Sequence, residues 1–291
     1  MHELSKPLHY TVVGSGRWAN NYRNTLLNFD DILGHDLTEY GSPRRLLSEI
    51  YALAKTRPNC VFVIATHPKF QTLILETLTG SECSVIIEKP LAYNSRSYKI
   101  LSQFLENNPN NALCGFYNLL NQNHIKFRKY ISENLPNISE IRIFDGGKGP
   151  FRKQLGAFFD WSPHTFASLQ AIGADRENLK ISRVKSTFGE NFEIYTNLNN
   201  VKITAFLGNG FEKKERYSAI TLKDGSEIKF DFTDRNKKRF REMDRLINFS
   251  KFYFYDNRFH ICRLYDKLFS NDTFILENAH LVYSAYEKYL R

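Results

Sequence analysis

The spacing of apolar and polar positions along the chain changes character once. From Leu8 to Phe116, short apolar runs alternate with segments of helical spacing. Leu8 to Val13 is a β-branched run that ends in Gly14-Ser15-Gly16, and Trp18 to Phe29 then carries apolar residues on one helical face, which predicts strand, tight turn and helix. Arg44 to Ala54 predicts a helix entered through Gly41-Ser42-Pro43. Cys60 to Ala65 is continuously apolar, as a strand covered on both faces must be. A helix over Phe70 to Leu78 closed by Gly80, a strand at Ser84 to Ile87, a helix at Ser95 to Glu106 and a strand at Leu113 to Phe116 complete the alternation. Strands separated by helices specify a parallel, doubly wound sheet.

Beyond this point the period of two dominates. A helix at Ile125 to Ser132 and a strand at Glu140 to Phe144 lead into a loop rich in Gly and Lys, and Pro163 opens a helix that runs to Ile172. Alternating segments follow at Lys180 to Phe188, Phe192 to Leu198, Val201 to Leu207, Ser218 to Leu222 and Ile228 to Phe232, divided by turns such as Leu198-Asn199-Asn200 and Lys223-Asp224-Gly225-Ser226. Arg258 to Phe269 and Asn278 to Leu290 predict terminal helices. The reading is an α/β protein: an N-terminal Rossmann domain over 1–117 and an α+β domain with an open, mainly antiparallel sheet over 118–291.

Composition adds boundaries to this picture. With 42% hydrophobic residues, 24 Phe and 16 Tyr in 291 residues, the chain can bury two ordinary cores. No apolar run reaches bilayer length and no signal segment opens the chain, so a cytoplasmic protein without membrane contact is expected. Cys60, Cys83, Cys114 and Cys262 are widely spaced, which points to buried reduced thiols and to no metal site. The net charge of +9 suits an anionic ligand such as a pyrophosphate and would equally suit nucleic acid. The densest basic stretch, Arg235 to Arg245, is interrupted by Glu242 and Asp244 and carries no nucleic-acid motif, so it is read as a solvated face and nucleic acid is not expected as a partner.

Gly14-Ser15-Gly16, between a strand and a helix, would set backbone N–H groups and a helix N-terminus against a phosphate, with Ala19 standing where a third glycine would fall. The acid that should end the second strand and hold a ribose is not identifiable. The stretch Asp30 to Gly41 is short for that job, with Asp36 and Glu39 as candidates, and Arg17 could instead meet a 2′-phosphate. Lys89 falls at the carboxyl edge of the parallel sheet, where doubly wound folds bind ligands, and Pro90 fixes the backbone beyond it. His164 follows Asp160 by four residues, so both could address one side of a cleft, and a histidine titrating near neutrality suits proton removal from a carbinol. His2, His9, His35, His124, His260 and His280 have no partner at a telling spacing and read as surface or packing residues.

Taken together, these segments resemble the Gfo/Idh/MocA family of oxidoreductases over nearly the full chain. Gly14-Ser15-Gly16-Arg17-Trp18-Ala19-Asn20-Asn21 is similar to the glycine turn of its surface-polysaccharide sugar subgroup, and Val63-Ile64-Ala65-Thr66-His67-Pro68 to its fourth-strand exit. Ile87-Glu88-Lys89-Pro90-Leu91-Ala92 resembles the family's most recognisable motif, Asp160-Trp161-Ser162-Pro163-His164 its helix-entry motif, and Gly149-Pro150-Phe151-Arg152 a segment of the same subgroup. The resemblance implies NAD or NADP bordered by Gly14, Ser15, Gly16, Arg17, Trp18, Thr66, His67, Glu88 and Lys89. It implies acid–base chemistry at Lys89 and His164 assisted by Asp160, with the base left open between the first two. Asn118 and Asn121 become candidate contacts to a sugar or nucleotide-sugar substrate. Lys148 and Arg152 are candidates for its phosphate or carboxylate. A homodimer or homotetramer through the C-terminal sheet is likewise implied. Two other readings stay open: a catalytically silent ligand-sensing or regulatory member, favoured by the short 25–41 region, and an NAD-dependent glycosidase that uses its cofactor transiently.

Overall fold

Lateral pairing of five short apolar runs builds the first unit. The computed structural model describes residues 8–29, 33–37, 42–57, 59–149, 151–152, 155–233, 241–256 and 272–290. Strands β1 (His9–Val13), β2 (Leu33–Leu37), β3 (Cys60–Ile64), β4 (Ser84–Ile87) and β5 (Ala112–Cys114) form a parallel sheet in the order β2-β1-β3-β4-β5. Helices α1 (Arg17–Leu26), α2 (Pro43–Thr56), α3 (Pro68–Leu78) and α4 (Ser95–Asn107) make the crossovers. Strand order reverses beside β1, the switch point at which doubly wound sheets open a crevice. All five residues of β3 are buried, as its unbroken apolar run requires.

Local chemistry starts these helices where it should. Ser42 Oγ accepts the Arg45 N–H at 3.3 Å and Pro43 occupies the first turn of α2. Asn94 and Ser97 cap α4 reciprocally. Leu33–Leu37, within the stretch expected to be short for a ribose-holding acid, forms the second strand. Leu33–Leu37 pairs with β1 over its whole length, from His9↔Leu33 to Val13↔Leu37. Asp36 stands opposite Val12, and Glu39 lies outside the described residues.

The chain does not divide into the two continuous domains expected. Residues 1–117 and 238–279 form one unit, and 118–237 with 280–291 form the other. The physical reason is α7 (Arg241–Asp256), which enters from the basic stretch expected to be a solvated face. Its Met243, Leu246 and Ile247 are buried, it packs on α1, and Ser250 Oγ lies 2.7 Å from the Tyr10 hydroxyl of β1. Phe274 of α8 (Asp272–Tyr289) likewise meets Phe116 edge to face. The helix expected over Arg258 to Phe269 lies outside the described residues. Among the described residues no helix is long and apolar enough to cross a membrane.

The second unit is a six-stranded sheet of β6 (Ile138–Lys148), β7 (Lys180–Val184), β8 (Asn191–Leu198), β9 (Val201–Gly208), β10 (Gly210–Leu222) and β11 (Glu227–Asp231) in the order β11-β10-β6-β9-β8-β7. Only the β6–β9 pair is parallel. α6 (Ala157–Ala171) packs on one face, over Ile141, Ile143, Ile203, Ala205 and Leu207, while α5 (Gln122–Asn134) lies against β11. β6 runs past Phe144 through the expected Gly/Lys loop, its extension paired with β9 at Gly146↔Gly208 and with β10 at Lys148↔Gly210, and the Phe211 ring fills the space a side chain at Gly146 would take. β10 begins at Gly210 rather than Ser218; the polar run Glu212–Glu215 hides its alternation.

His124 of α5 is fully enclosed, its Nε2 2.9 Å from Ser168 Oγ on α6 and its ring against Phe127 and Phe232. Burial, helped by the Arg128 charge, pushes this imidazole down to about 3. The folded state therefore holds it neutral while the unfolded chain takes up a proton below the ordinary histidine value. Its contribution to stability is complete above about pH 6.5 and falls by roughly 1 kcal/mol per pH unit below that, until the folded value is reached. Denaturant unfolding followed by Trp161 fluorescence should show this slope, and His124→Phe should flatten it. An unchanged slope in the variant would assign the acid sensitivity elsewhere.

Candidate functional site

The site in the first unit is built by register. Leu37, Val13, Ile64, Ile87 and Cys114 lie in one row across all five strands. One further rung continues it, with Ala65 N–H donating to Val13 O at 2.9 Å, Glu88 N–H to Ile64 O at 3.0 Å and Gly115 N–H to Ile87 O at 2.8 Å. Gly14-Ser15-Gly16, Thr66-His67, Lys89 and Phe116-Tyr117 therefore leave the sheet at the same carboxyl edge.

The two glycines of the turn serve different purposes. Gly14 has φ +139°, and a Cβ there would lie 2.3 Å from the Ala65 carbonyl oxygen, so the turn itself demands glycine. Its carbonyl accepts from the Arg23 guanidinium, and Ala19, fully buried, packs beneath it. Gly16, at φ −79° and ψ 177°, has a backbone any residue could adopt, and a Cβ there would meet nothing within 4 Å. Packing does not explain this glycine, whereas a ligand lying against the backbone would. No side chain caps α1 and no acid stands in its first turn, while Ser15, Gly16 and Arg17 are exposed. The turn fits the pyrophosphate of a dinucleotide, held by amide N–H groups at a helix N-terminus. Trp18, one turn on, sets its ring 5.2 Å from that of Tyr117.

The neighbouring loops are tied together by a residue the sequence reading passes over. Gln71 of α3, 2% exposed, donates through Nε2 to the Glu88 carbonyl at 2.9 Å and lies 3.4 Å from the Thr66 carbonyl. His67 caps α3, its Nδ1 accepting the Lys69 N–H at 3.3 Å, which makes it a loop-shaping residue. Glu88 does not face outward with Lys89. It is 3% exposed, and its Oε1 accepts a 2.7 Å hydrogen bond from the buried Tyr22 hydroxyl of α1. Burial pushes this carboxyl up to about 7, with Tyr22 and the Lys89 charge opposing the rise, and drives the Tyr22 hydroxyl well above its ordinary value. Lys89 itself is half-buried at the sheet edge, followed by a cis peptide to Pro90. Cys60, Cys83 and Cys114 are free and buried, and burial pushes Cys60 up to about 12 and Cys83 to about 11, so both stay thiols.

In the second unit the Asp160–His164 motif is not a helix entry. α6 starts six residues earlier than Pro163 suggests, because Glu190 Oε2 on a distant loop accepts the Ala157 N–H at 3.1 Å in place of a local cap. Pro163 stands inside the helix at the cost of one backbone hydrogen bond, tolerated where every residue of α6 but Ala171 is buried. Asp160 and His164 occupy positions i and i+4 of this helix and so share a face, 7% and 2% exposed. Arg152 Nη1 lies 3.5 Å from Asp160 Oδ1, which joins a residue expected to bind substrate to one expected to assist catalysis. The His164 carbonyl accepts from Ser168 Oγ, the same hydroxyl that meets His124.

Other expected contacts divide. Asn121 is the cap of α5, its Oδ1 accepting the Asn123 N–H at 2.9 Å, while Asn118 Oδ1 is buried with no hydrogen-bond partner. Lys148 ends β6 with its ammonium 5.3 Å from the centre of the Phe188 ring. A further cluster goes unread in the sequence: Arg216 pairs with Asp145 at 2.8 Å on the helix-covered face of the sheet and lies over the Trp161 ring. Among the described residues no group of three His, Cys, Asp or Glu is placed to hold a metal ion.

No family model and no curated protein matches the chain by sequence. Solved structures do. A Gfo/Idh/MocA family oxidoreductase from Vibrio cholerae is 12% identical with a TM-score of 0.67, covering 95% of each chain. Myo-inositol 2-dehydrogenase from Lactobacillus plantarum is 13% identical at TM-score 0.71, covering 97% of each. UDP-N-acetylglucosamine 3-dehydrogenase from Acidithiobacillus ferrooxidans is 12% identical at 0.65, covering 98% of this chain and 99% of its own. These likenesses show the fold: the chain has the Rossmann-plus-open-sheet architecture of Gfo/Idh/MocA-type oxidoreductases.

The two glycines give a direct test of the turn. Gly14→Ala should lower stability by roughly 3 kcal/mol through clash and backbone strain. Gly16→Val should leave unfolding within about 0.5 kcal/mol of wild type yet weaken NADH or NADPH binding at least tenfold. Equal loss of stability in both would remove the argument that Gly16 is kept for a ligand.

Proposed function

We propose that the protein is an NAD(P)-dependent oxidoreductase that moves a hydride between nicotinamide and a carbinol or ketone carbon of a sugar or nucleotide-sugar. The observation that carries this reading is the strand row that brings the phosphate-fitting glycine turn and Lys89 to one sheet edge. The dehydrogenases of inositol and of UDP-N-acetylglucosamine among the structural neighbours support the substrate class.

Gly14, Ser15, Gly16 and Arg17 hold the cofactor phosphates, and Trp18, Thr66 and His67 border the same loops. When bound, NAD(P) supplies hydride acceptance and donation. The protein's task is the accompanying proton. Lys89 and His164 are its acid–base residues, and Asp160, paired with Arg152, assists by fixing local charge on α6. Asn118 brings a buried, unpartnered carbonyl oxygen that a sugar hydroxyl would satisfy. Lys148 serves a phosphate or carboxylate of the substrate. The open sheet face, where Phe144 stacks on Tyr217 and meets Phe206 and Phe211, pairs with a second copy.

Titration with NADH and NADPH, followed by energy transfer from protein to nicotinamide, should show tight binding of one. With UDP-sugars screened as substrates, Lys89→Met and His164→Ala should each keep cofactor affinity and lose turnover by on the order of a hundredfold to ten-thousandfold. Binding of neither dinucleotide would move a silent ligand sensor to first place. Light scattering should give a multiple of the 34.1 kDa chain mass, reduced to the monomer by Phe206→Glu. A wild-type monomer would end the pairing proposal.

A further inference from the structure

Glu88 is held at three points. Its N–H donates to Ile64 O at 3.0 Å, its carbonyl accepts from Gln71 at 2.9 Å, and its Oε1 accepts from the Tyr22 hydroxyl at 2.7 Å. The carboxyl also fills the space over Gly115, where a Cβ would lie 2.5 Å from Oε1. Lys89 is thus the first residue beyond a clamped one. The clamp is polar where an apolar pair would pack with less desolvation cost, and it is incomplete: Glu88 Oε2 is buried without a hydrogen-bond partner. Tyr22 is fully buried and follows the glycine turn on α1, so one hydroxyl links the phosphate-fitting helix to the strand end that carries the lysine.

We propose that Tyr22 is a positioning residue for Lys89, acting through Glu88: it pins the carboxyl inside the domain, so that the strand end is held from within and a carboxyl stays fixed within electrostatic reach of the lysine. This rests on Lys89 being the acid–base residue of the oxidoreductase. The titratable groups around the carboxyl are Tyr22 from α1, Lys89 on its own segment and Cys114 at the end of β5, with Tyr117 acting on Tyr22 and Asp272 of α8 on Cys114. Since burial lifts the carboxyl to about 7, its charge changes within the working range of a neutral-pH enzyme.

The test compares wild type, Tyr22→Phe and Glu88→Gln by kcat and KM across pH 5 to 9 and by mass-spectrometric mapping of Lys89 acetylation with acetic anhydride at pH 7. Tyr22→Phe should lower kcat about tenfold, the scale of one hydrogen bond to a charged group, with KM for the dinucleotide unchanged. It should also move the acidic limb of the kcat profile upward, because the carboxylate loses the side-chain hydrogen bond that favours its charged form, and Glu88→Gln should abolish that limb. Acetylation of Lys89 should rise severalfold in Glu88→Gln. If Tyr22→Phe does not fold, Glu88→Gln carries the test alone, since its amide keeps an acceptor for Tyr22. Wild-type kcat, pH profile and labelling in the folded variants would overturn the proposal whatever their stability. A wild-type protein without turnover in which labelling still responds would sink the acid–base reading and leave the link from Tyr22 to Lys89 standing.

Discussion

The parallel register is the constraint on which the first unit depends. Because Val13, Ile64, Ile87 and Cys114 fall in one row, four unrelated loops begin at the same height, and residues as far apart in sequence as Gly14 and Lys89 come to one edge. A slip of one residue in any strand would turn its apolar side chains around and withdraw its loop from that edge. The row is secured by runs too apolar to slip: β3 is buried throughout, and three of the four residues of β4 are. Chemistry at the edge is inherited from hydrophobic burial beneath it.

The alternation of strands and helices up to Phe116 was legible because continuous apolar runs and helical spacing are strong, local signals, and because Gly80, Pro43 and Ser42 punctuate them. The antiparallel sheet was legible in its apolar halves alone. β10 hid behind Glu212–Glu215, and β6 behind two glycines, one of which, Gly146, leaves room for the Phe211 ring. The start of α6 was misplaced because Pro163 is a strong first-turn signal, whereas the actual cap is Glu190, thirty-three residues away. Composition identifies local caps; it carries no trace of a long-range one.

The site shows the same division. Gly14, Gly16, Lys89, Asp160 and His164 stood out by type and spacing, yet their supports did not. Tyr22 reads as one more apolar position on α1, Gln71 as a polar residue in a helix, and Ser168 as an interior serine. Each acts through a hydrogen bond that exists only in three dimensions: to Glu88, to the loops after β3 and β4, and to His124. Both Glu88 and His124 are enclosed, each hydrogen-bonded to a hydroxyl side chain, Tyr22 and Ser168 respectively, and enclosure favours the uncharged form of each. Polar groups were spent in these interiors where aliphatic ones would have been cheaper: Glu88 directly precedes Lys89, and the Ser168 hydroxyl that meets His124 also donates to the His164 carbonyl.

The return of the chain to its first unit has a consequence for how the protein comes into being. β1 to β5 are synthesised first, but α1 stays without its neighbour α7, Tyr10 without Ser250 and Phe116 without Phe274 until the last fifth of the chain has been made. The 118–237 segment, by contrast, holds all six strands of its sheet and has most of its core on emergence. The parallel-sheet unit, begun before the antiparallel one, is therefore sealed only by helices that follow it, and a chain cut short near residue 237 would carry all six strands of the second sheet together with a parallel sheet still lacking α7 and Phe274.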